Sequence, residues 1–279
     1  MTSIDQLRGL VDEELARLPF AGELGHLEEA LRYSLLGGGK RIRPVLCLAT
    51  GEALGRDPAE LLPAACSLEL VHTFSLVHDD LPALDDDELR RGQPSAHVRF
   101  GEDVAILAGD ALLTEAFRLI LVYPAPDAAR ELAFATLGMI GGQYVDVTTN
   151  GELDGEALAH LHDLKTGRLL QACVNCATAV AQVPPEERAP WAAFGKELGL
   201  LFQIVDDVLD ATGTAEELGK TPGKDEAAGK VTYVSLYGLD RARELADEAR
   251  TRVNERLDEL PVDTSVLAEL VSAIRERHS

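Results

Sequence analysis

Two aspartate-rich segments carry the chain's clearest chemistry. The first reads Val77-His78-Asp79-Asp80-Leu81-Pro82-Ala83-Leu84-Asp85-Asp86-Asp87-Glu88-Leu89-Arg90-Arg91-Gly92, after a nearly all-apolar run from Cys66 to Val77. Pro82 must break or bend a helix, because proline lacks an N–H and clashes with the preceding turn. Asp79 and Asp80 are therefore expected to end a helix, with Asp85 folding back beside them. Charges on an apolar helix are costly unless paired or metal-bound. Three converging carboxylates without a lysine among them suit a hard cation such as Mg²⁺, which prefers oxygen ligands and retained waters. Arg90 and Arg91 follow at once, as metal-bridged phosphate with direct arginine clamps would require.

The second segment is Phe202-Gln203-Ile204-Val205-Asp206-Asp207-Val208-Leu209-Asp210. At about 100° per residue, Gln203, Asp206, Asp207 and Asp210 share one helix face. Neither segment has the alternating acids, central Gly and terminal Glu of an EF-hand. One Asp-Asp pair alone reads as a solvated face or a helix cap. Two Asp motifs, each on an apolar helix and each near basic residues, point instead to a paired metal–phosphate site.

Positive charges are few, and several sit in Gly-rich settings. Gly37-Gly38-Gly39-Lys40-Arg41-Ile42-Arg43-Pro44 places Lys40 and Arg43 where glycine amides meet a helix start, an anion receptor. It is not a Walker loop, since the Gly spacing and the Ser/Thr after Lys are missing. Leu218-Gly219-Lys220-Thr221-Pro222-Gly223-Lys224, with Lys230 beyond, can return over the second cluster, and Lys165-Thr166-Gly167-Arg168 lies in a helical stretch. His72, almost two helical turns before Asp79, shares its face. Cys173 and Cys176 form a C-x-x-C without a second pair, and small buried residues are expected there.

The elements that must position these groups are helical. Apolar residues recur at three- and four-residue spacing, as in Leu7, Leu10, Val11, Leu15 and Leu18, or Leu236, Leu239, Ala242, Leu245 and Ala249. Pro and Gly punctuate segments long enough for roughly ten helices. With no linker and no fixed-period repeat, residues 1–279 read as a single large all-α domain. The chain has 279 residues, 46% hydrophobic, 48 Asp+Glu against 26 Lys+Arg, and a formal net charge of −22. That charge argues against nucleic acid and against anionic membrane surfaces. No membrane span, signal-peptide core or disulfide scaffold is evident, and a soluble, cytoplasmic protein is expected.

Together these motifs resemble the trans-isoprenyl diphosphate synthases, or polyprenyl synthetases, over nearly the whole chain. The resemblance extends to Ala108-Gly109-Asp110-Ala111-Leu112-Leu113 and Gly142-Gln143. It implies an all-α isoprenoid synthase fold around a central active-site cavity, a homodimer, and Mg²⁺-dependent (or Mn²⁺-dependent) head-to-tail condensation of isopentenyl diphosphate with an allylic diphosphate. By position, Asp79, Asp80 and Asp85, with Asp206, Asp207 and Asp210, would hold the metal. Arg90, Lys165, Thr166, Gln203, Lys220 and Lys230 would contact the allylic diphosphate. Lys40, Arg43, His72 and Arg91 would take isopentenyl diphosphate, and Gln143 and Asp146 lie nearby. Catalysis would rest on Asp79, Asp80, Asp85, Lys165, Asp206 and Lys220, by ionisation, condensation and proton loss. The tail Ile274 to Ser279, with Arg277 and His278, would either close the site or fray.

The same resemblance bears on product length. The aromatic Phe74, five residues before Asp79, is similar to the position that stops bacterial-type farnesyl diphosphate synthases at fifteen carbons. On an ideal helix Phe74 sits about 140° from Asp79, and Ser75 is nearer its face. A C15 product is expected, with C20 and C10 diphosphates as alternatives. Two other classes compete. A class I terpene cyclase has no use for the anion pocket at Lys40, Arg43 and His72. A silent partner subunit would be expected to have lost aspartates, and all six are present.

Overall fold

The computed structural model describes residues 2–149, 153–213 and 230–275, and its architecture is all-α. In chain order the helices are α1 (Ile4–Arg17), α2 (Leu27–Leu36), α3 (Ile42–Ala53), α4 (Pro58–Asp79), α5 (Ala96–Phe100), α6 (Glu102–Ile120) and α7 (Asp127–Thr148). Then come α8 (Gly155–His162), a π-helical turn Asp163–Gly167, α9 (Arg168–Val180), α10 (Ala189–Thr212), α11 (Tyr233–Tyr237), α12 (Leu239–Asp258) and α13 (Ser265–Arg275). The roughly ten helices expected are thus joined by short ones such as α5 and α11.

Local chemistry explains where the principal helices begin. Ser3 and Gln6 form a reciprocal capping box at α1, and the Asp57 side chain accepts from the Ala59 N–H at 2.9 Å ahead of Pro58, the first residue of α4. α4 is buried along most of its length and packs on α3, α6, α9 and α1. By length and composition it could cross a membrane, but here it is the central core helix.

Pro63 reads as punctuation in the sequence, yet α4 continues through it. Tyr123 explains how. Its hydroxyl donates to the Glu60 carbonyl at 2.8 Å and accepts from the Ala64 N–H at 3.2 Å. Those are the two groups one α-helical bond would have joined, so the hydroxyl bridges the ladder where the proline ring spreads it.

Pro82 behaves as expected: α4 stops at Asp79. Beyond it lies a small antiparallel hairpin, Leu89–Arg90 with Gln93–Pro94, that no period-two pattern announced. Its turn residues Arg91 and Gly92 both have positive φ, 54° and 75°, as a two-residue hairpin loop demands. The helices enclose a cavity of about 1170 Å³, above the roughly 300–1,000 Å³ usual for small-molecule sites.

Candidate active site

The loop after α4 folds back on itself. The Asp85 N–H donates to the Asp79 carbonyl at 2.8 Å, and the Asp87 N–H donates to that of Asp80 at 3.1 Å. Asp79 faces the cavity. Burial pushes its carboxyl up to about 6, against the pull of Lys165, and the like charges of Asp85 and Asp80 push the same way. Asp80 is 2% exposed and takes the Arg90 guanidinium, with Arg90 Nε at 3.1 Å. Arg90 thus neutralises Asp80 while lining the same cavity.

On α10 the carboxylates divide. Asp206 and Gln203 line the cavity. Asp207, 4% exposed, accepts from the Tyr233 N–H and from Gln203 Nε2, both at 2.8 Å, and Asp210 is 6% exposed. Asp207 and Asp210 share that helix face, as the Gln203–Asp207 bond shows, yet both are more deeply buried than the cavity-lining Asp206. The reason is tertiary: α11 starts against α10, and the amide at its first residue claims Asp207. Among the described residues no three His, Cys, Asp or Glu side chains converge tightly enough to form a ready metal cage. The six carboxylates instead form two separated half-sites. Their chemistry still fits Mg²⁺, because all donors are hard oxygens and Asp79 bears an unfavourable burial that a cation would relieve.

Two lysines meet at Asp146 beside the first cluster. Lys165 donates to Asp146 at 2.5 Å, and Lys230 reaches Asp85 at 3.0 Å and Asp146 at 3.9 Å. Asp146 thus holds both cations in place. Lys165 and Thr166 come from the π-helical turn, whose wider cross-section fits between two glycines. A Cβ at Gly142 of α7 would lie 2.5 Å from Lys165 N, and one at Gly199 of α10 would lie 2.8 Å from Gly167 Cα. Only glycine permits both approaches. Lys220, with Thr221 and Lys224, lies outside the described residues, as do Arg277 and His278.

The second anion pocket assembles as expected. Lys40, Arg43, His72 and Arg91 all line the cavity. Arg43 Nη1 is 3.3 Å from His72 Nε2, and its guanidinium lies 5.6 Å from the Phe202 ring centroid. Burial, then the Arg43 cation, holds the His72 imidazole well below its ordinary value. Neutral His72 beside buried Arg43 leaves a cationic hole that an anion would fill. Arg91 donates to the Gly38 carbonyl and packs against Gly39, whose φ of 129° needs glycine. Arg41 does different work: it is 4% exposed and bonds Glu69 at 2.7 Å, Asp12 at 2.9 Å and the Leu35 carbonyl at 2.9 Å.

Both Phe74 and Ser75 face the cavity, together with Leu76 and His78. The offset of Phe74 on an ideal helix did not keep it out, because the cavity wraps a broad sector of α4. Met139, Ile140, Tyr144 and Val147 of α7 complete the apolar wall. Sequence reasoning missed these four, although with Gln143 they form a stripe at three- and four-residue spacing. Both amide atoms of Gln143 are buried without a hydrogen-bond partner, which suits a residue awaiting a polar ligand. The four cysteines are buried and free, and burial pushes the Cys173 thiol up to about 12, so they do not compete for the chemistry.

An all-α shell around an apolar cavity, with carboxylates and cations at its mouth, defines an isoprenoid synthase fold. The polyprenyl synthetase model matches residues 25–274. Geranylgeranyl pyrophosphate synthase 7 of Arabidopsis thaliana is 46% identical over 243 residues, covering 83% of this chain and 70% of the relative. A solved geranylgeranyl pyrophosphate synthase superposes with a TM-score of 0.93 at 26% identity, covering 100% of both chains. Geranyltransferase from Helicobacter pylori, solved with magnesium and isoprenyl diphosphate, gives 0.86 at 33% identity over 98% of this chain and 95% of that one. The chain belongs to the polyprenyl synthetase family and is a short-chain trans-prenyltransferase.

Proposed function

We propose that the chain condenses isopentenyl diphosphate head-to-tail with an allylic diphosphate, and that geranylgeranyl diphosphate (C20) is its main product. One observation carries the two-substrate reading: a single cavity is lined by two cationic sets, Lys40/Arg43/His72/Arg91 and Lys165/Arg90, around one apolar wall. A terpene cyclase needs one such set. Relatives named as geranylgeranyl pyrophosphate synthases support C20. The C15 reading keeps one observation in its favour, the aromatic ring of Phe74 in the cavity wall.

The residues divide the work. Arg43 and Arg91, with Lys40 and neutral His72, hold the isopentenyl diphosphate. Lys165 and Lys230, fixed through Asp146, face the leaving diphosphate, where fixed cations stabilise charge that grows in the transition state. Asp79, Asp80 and Asp85 on one side, and Asp206 with Asp207 and Asp210 along its helix face on the other, would hold Mg²⁺. When bound, the metal supplies charge neutralisation to the departing diphosphate. Phe74, Leu76, Met139 and Leu169 keep water from the allylic cation. The released diphosphate is the proposed acceptor for the final proton.

A second copy of this chain is the proposed partner. Leu107, Phe134, Leu137 and Tyr144 on α6 and α7 are 55–70% exposed, an apolar face that a homodimer would cover. Incubation of the purified chain with Mg²⁺, isopentenyl diphosphate and dimethylallyl or geranyl diphosphate tests the function. Elongation to C20 is expected. A C15 end point would restore the farnesyl reading, and no elongation would reject the enzyme.

A further inference from the structure

Phe74 does not stand alone in the cavity wall; it is braced by a neighbouring ring. One turn further along α4, the His78 imidazole meets the Phe74 ring edge-on, with centroids 5.1 Å apart and planes at 79°. The same imidazole is tied to the facing helix: His78 Nε2 lies 3.1 Å from the Ile106 carbonyl of α6. A carbonyl only accepts, so Nε2 is the nitrogen that carries the proton. The ring fits because residue 109 has no side chain. A Cβ at Gly109 would lie 2.1 Å from His78 Nε2 and 2.4 Å from its Cδ2.

We propose that His78 is a positioning residue for product length, clamping Phe74 between α4 and α6 so that its ring holds the floor against the growing chain. This rests on the proposed elongation and on the reading of Phe74 as that floor, at whichever length, C20 or C15, the wild-type product stops. The clamp has three parts: the Ile106 carbonyl fixes the imidazole, Gly109 makes room for it, and the edge-on contact fixes the phenyl ring. An aromatic ring held on one side only by aliphatic packing can rotate away under pressure from an extending tail. With His78 in place, the space it would rotate into is filled. Removing the imidazole empties that space, and the tail gains room for another C5 unit.

The consequence that separates this from simple packing is at Gly109. A methyl group there overlaps the imidazole and must displace it, so Gly109→Ala should lengthen the product even though His78 and Phe74 are both intact. The test uses the full-length chain with Mg²⁺, isopentenyl diphosphate and geranyl diphosphate, and sizes the dephosphorylated products by chromatography. Length distribution is read at matched turnover, because His78 adjoins Asp79 and its loss will also alter rate. His78→Ala and Gly109→Ala should each raise the ratio of the next-longer product to the wild-type product by roughly tenfold, the most that loss of one ring contact supplies. His78→Gln, which keeps a donor toward Ile106 but has no ring, should shift it the same way and guards against misfolding of the alanine variant. Phe74→Ala should lengthen the product at least as far, and adding His78→Ala to it should change nothing more.

Lengthening by Phe74→Ala alone, with wild-type products from the His78 and Gly109 variants, overturns the clamp and leaves the floor intact. Wild-type products from all of them overturn both. Further lengthening in the Phe74/His78 double variant also overturns the proposal, since His78 would then be acting independently of Phe74.

Discussion

Asp79 is a carboxylate whose place in the cavity wall costs the free protein stability. Its carboxyl is pushed from 3.8 to about 6, first by burial. A folded-state pKa raised above the unfolded value means that the neutral form is favoured in the fold. The associated stability is therefore fully present below about pH 4 and lost as pH rises through about 6. A rise of that size puts the cost of ionised Asp79 at about 3 kcal/mol at pH 7.5. Asp79→Asn substitutes a neutral group of the same shape. In metal-free buffer it should stabilise the chain by about 2–3 kcal/mol at pH 7.5, and roughly half of that gap should close by pH 5. The comparison is made between variant and wild type at each pH by urea denaturation at one protein concentration. The buried imidazoles His72 and His162, both held below their ordinary values, then cancel. Mg²⁺ with inorganic diphosphate should reverse the order, stabilising wild type and not the variant, because a ligand that binds only the native state adds to its stability. An Asp79→Asn chain no more stable than wild type at pH 7.5, or a gap independent of pH, would refute the reasoning.

Three further outcomes follow from the geometry. Gly199→Ala drives a methyl into the π-helical turn at Gly167; it should cost about 1–3 kcal/mol by overpacking and lower kcat/KM for the allylic substrate through displaced Lys165, with steady-state kinetics as the check. Tyr123→Phe removes the hydroxyl bridging Glu60 and Ala64 beside Pro63; about 1–3 kcal/mol should be lost, with kinetic constants unchanged, and an unaltered melting temperature would contradict it. Leu137→Glu places a charge on the exposed apolar face of α7; light scattering should show a dimer in wild type and a monomer in the variant, and identical masses would dismiss that face as the interface.

Much of the site was legible in the residue order. Asp79 at a helix end and Asp85 folded back beside it follow from Pro82, Lys40 and Arg43 in one anion receptor from the glycine run, and His72 on the face of Asp79 from helical phase; that Arg91 and His72 join Lys40 and Arg43 in one pocket came from the family resemblance. What phase alone misjudged was orientation. Asp207 shares a helix face with Asp206, yet turns to the Tyr233 amide. Phe74 is out of phase with Asp79, yet faces the same cavity. Pro63 looks like a helix stop and is not one, because Tyr123, 63 residues beyond Glu60, repairs the break.

The division has a physical basis. Helix formation, capping and amphipathic faces depend on neighbours within a few residues, so residue order alone determined an all-α protein with two carboxylate helices and a separate cationic loop. Which carboxylates meet a cation, which amide takes Asp207, and what braces Phe74 depend on side chains brought together from distant positions. Lys230 lies 145 residues from Asp85 and pairs with it at 3.0 Å. The aspartate pattern specified the chemistry available to this chain, while packing of α4 against α6, α7 and α9 decided which groups face the cavity and how deep it runs.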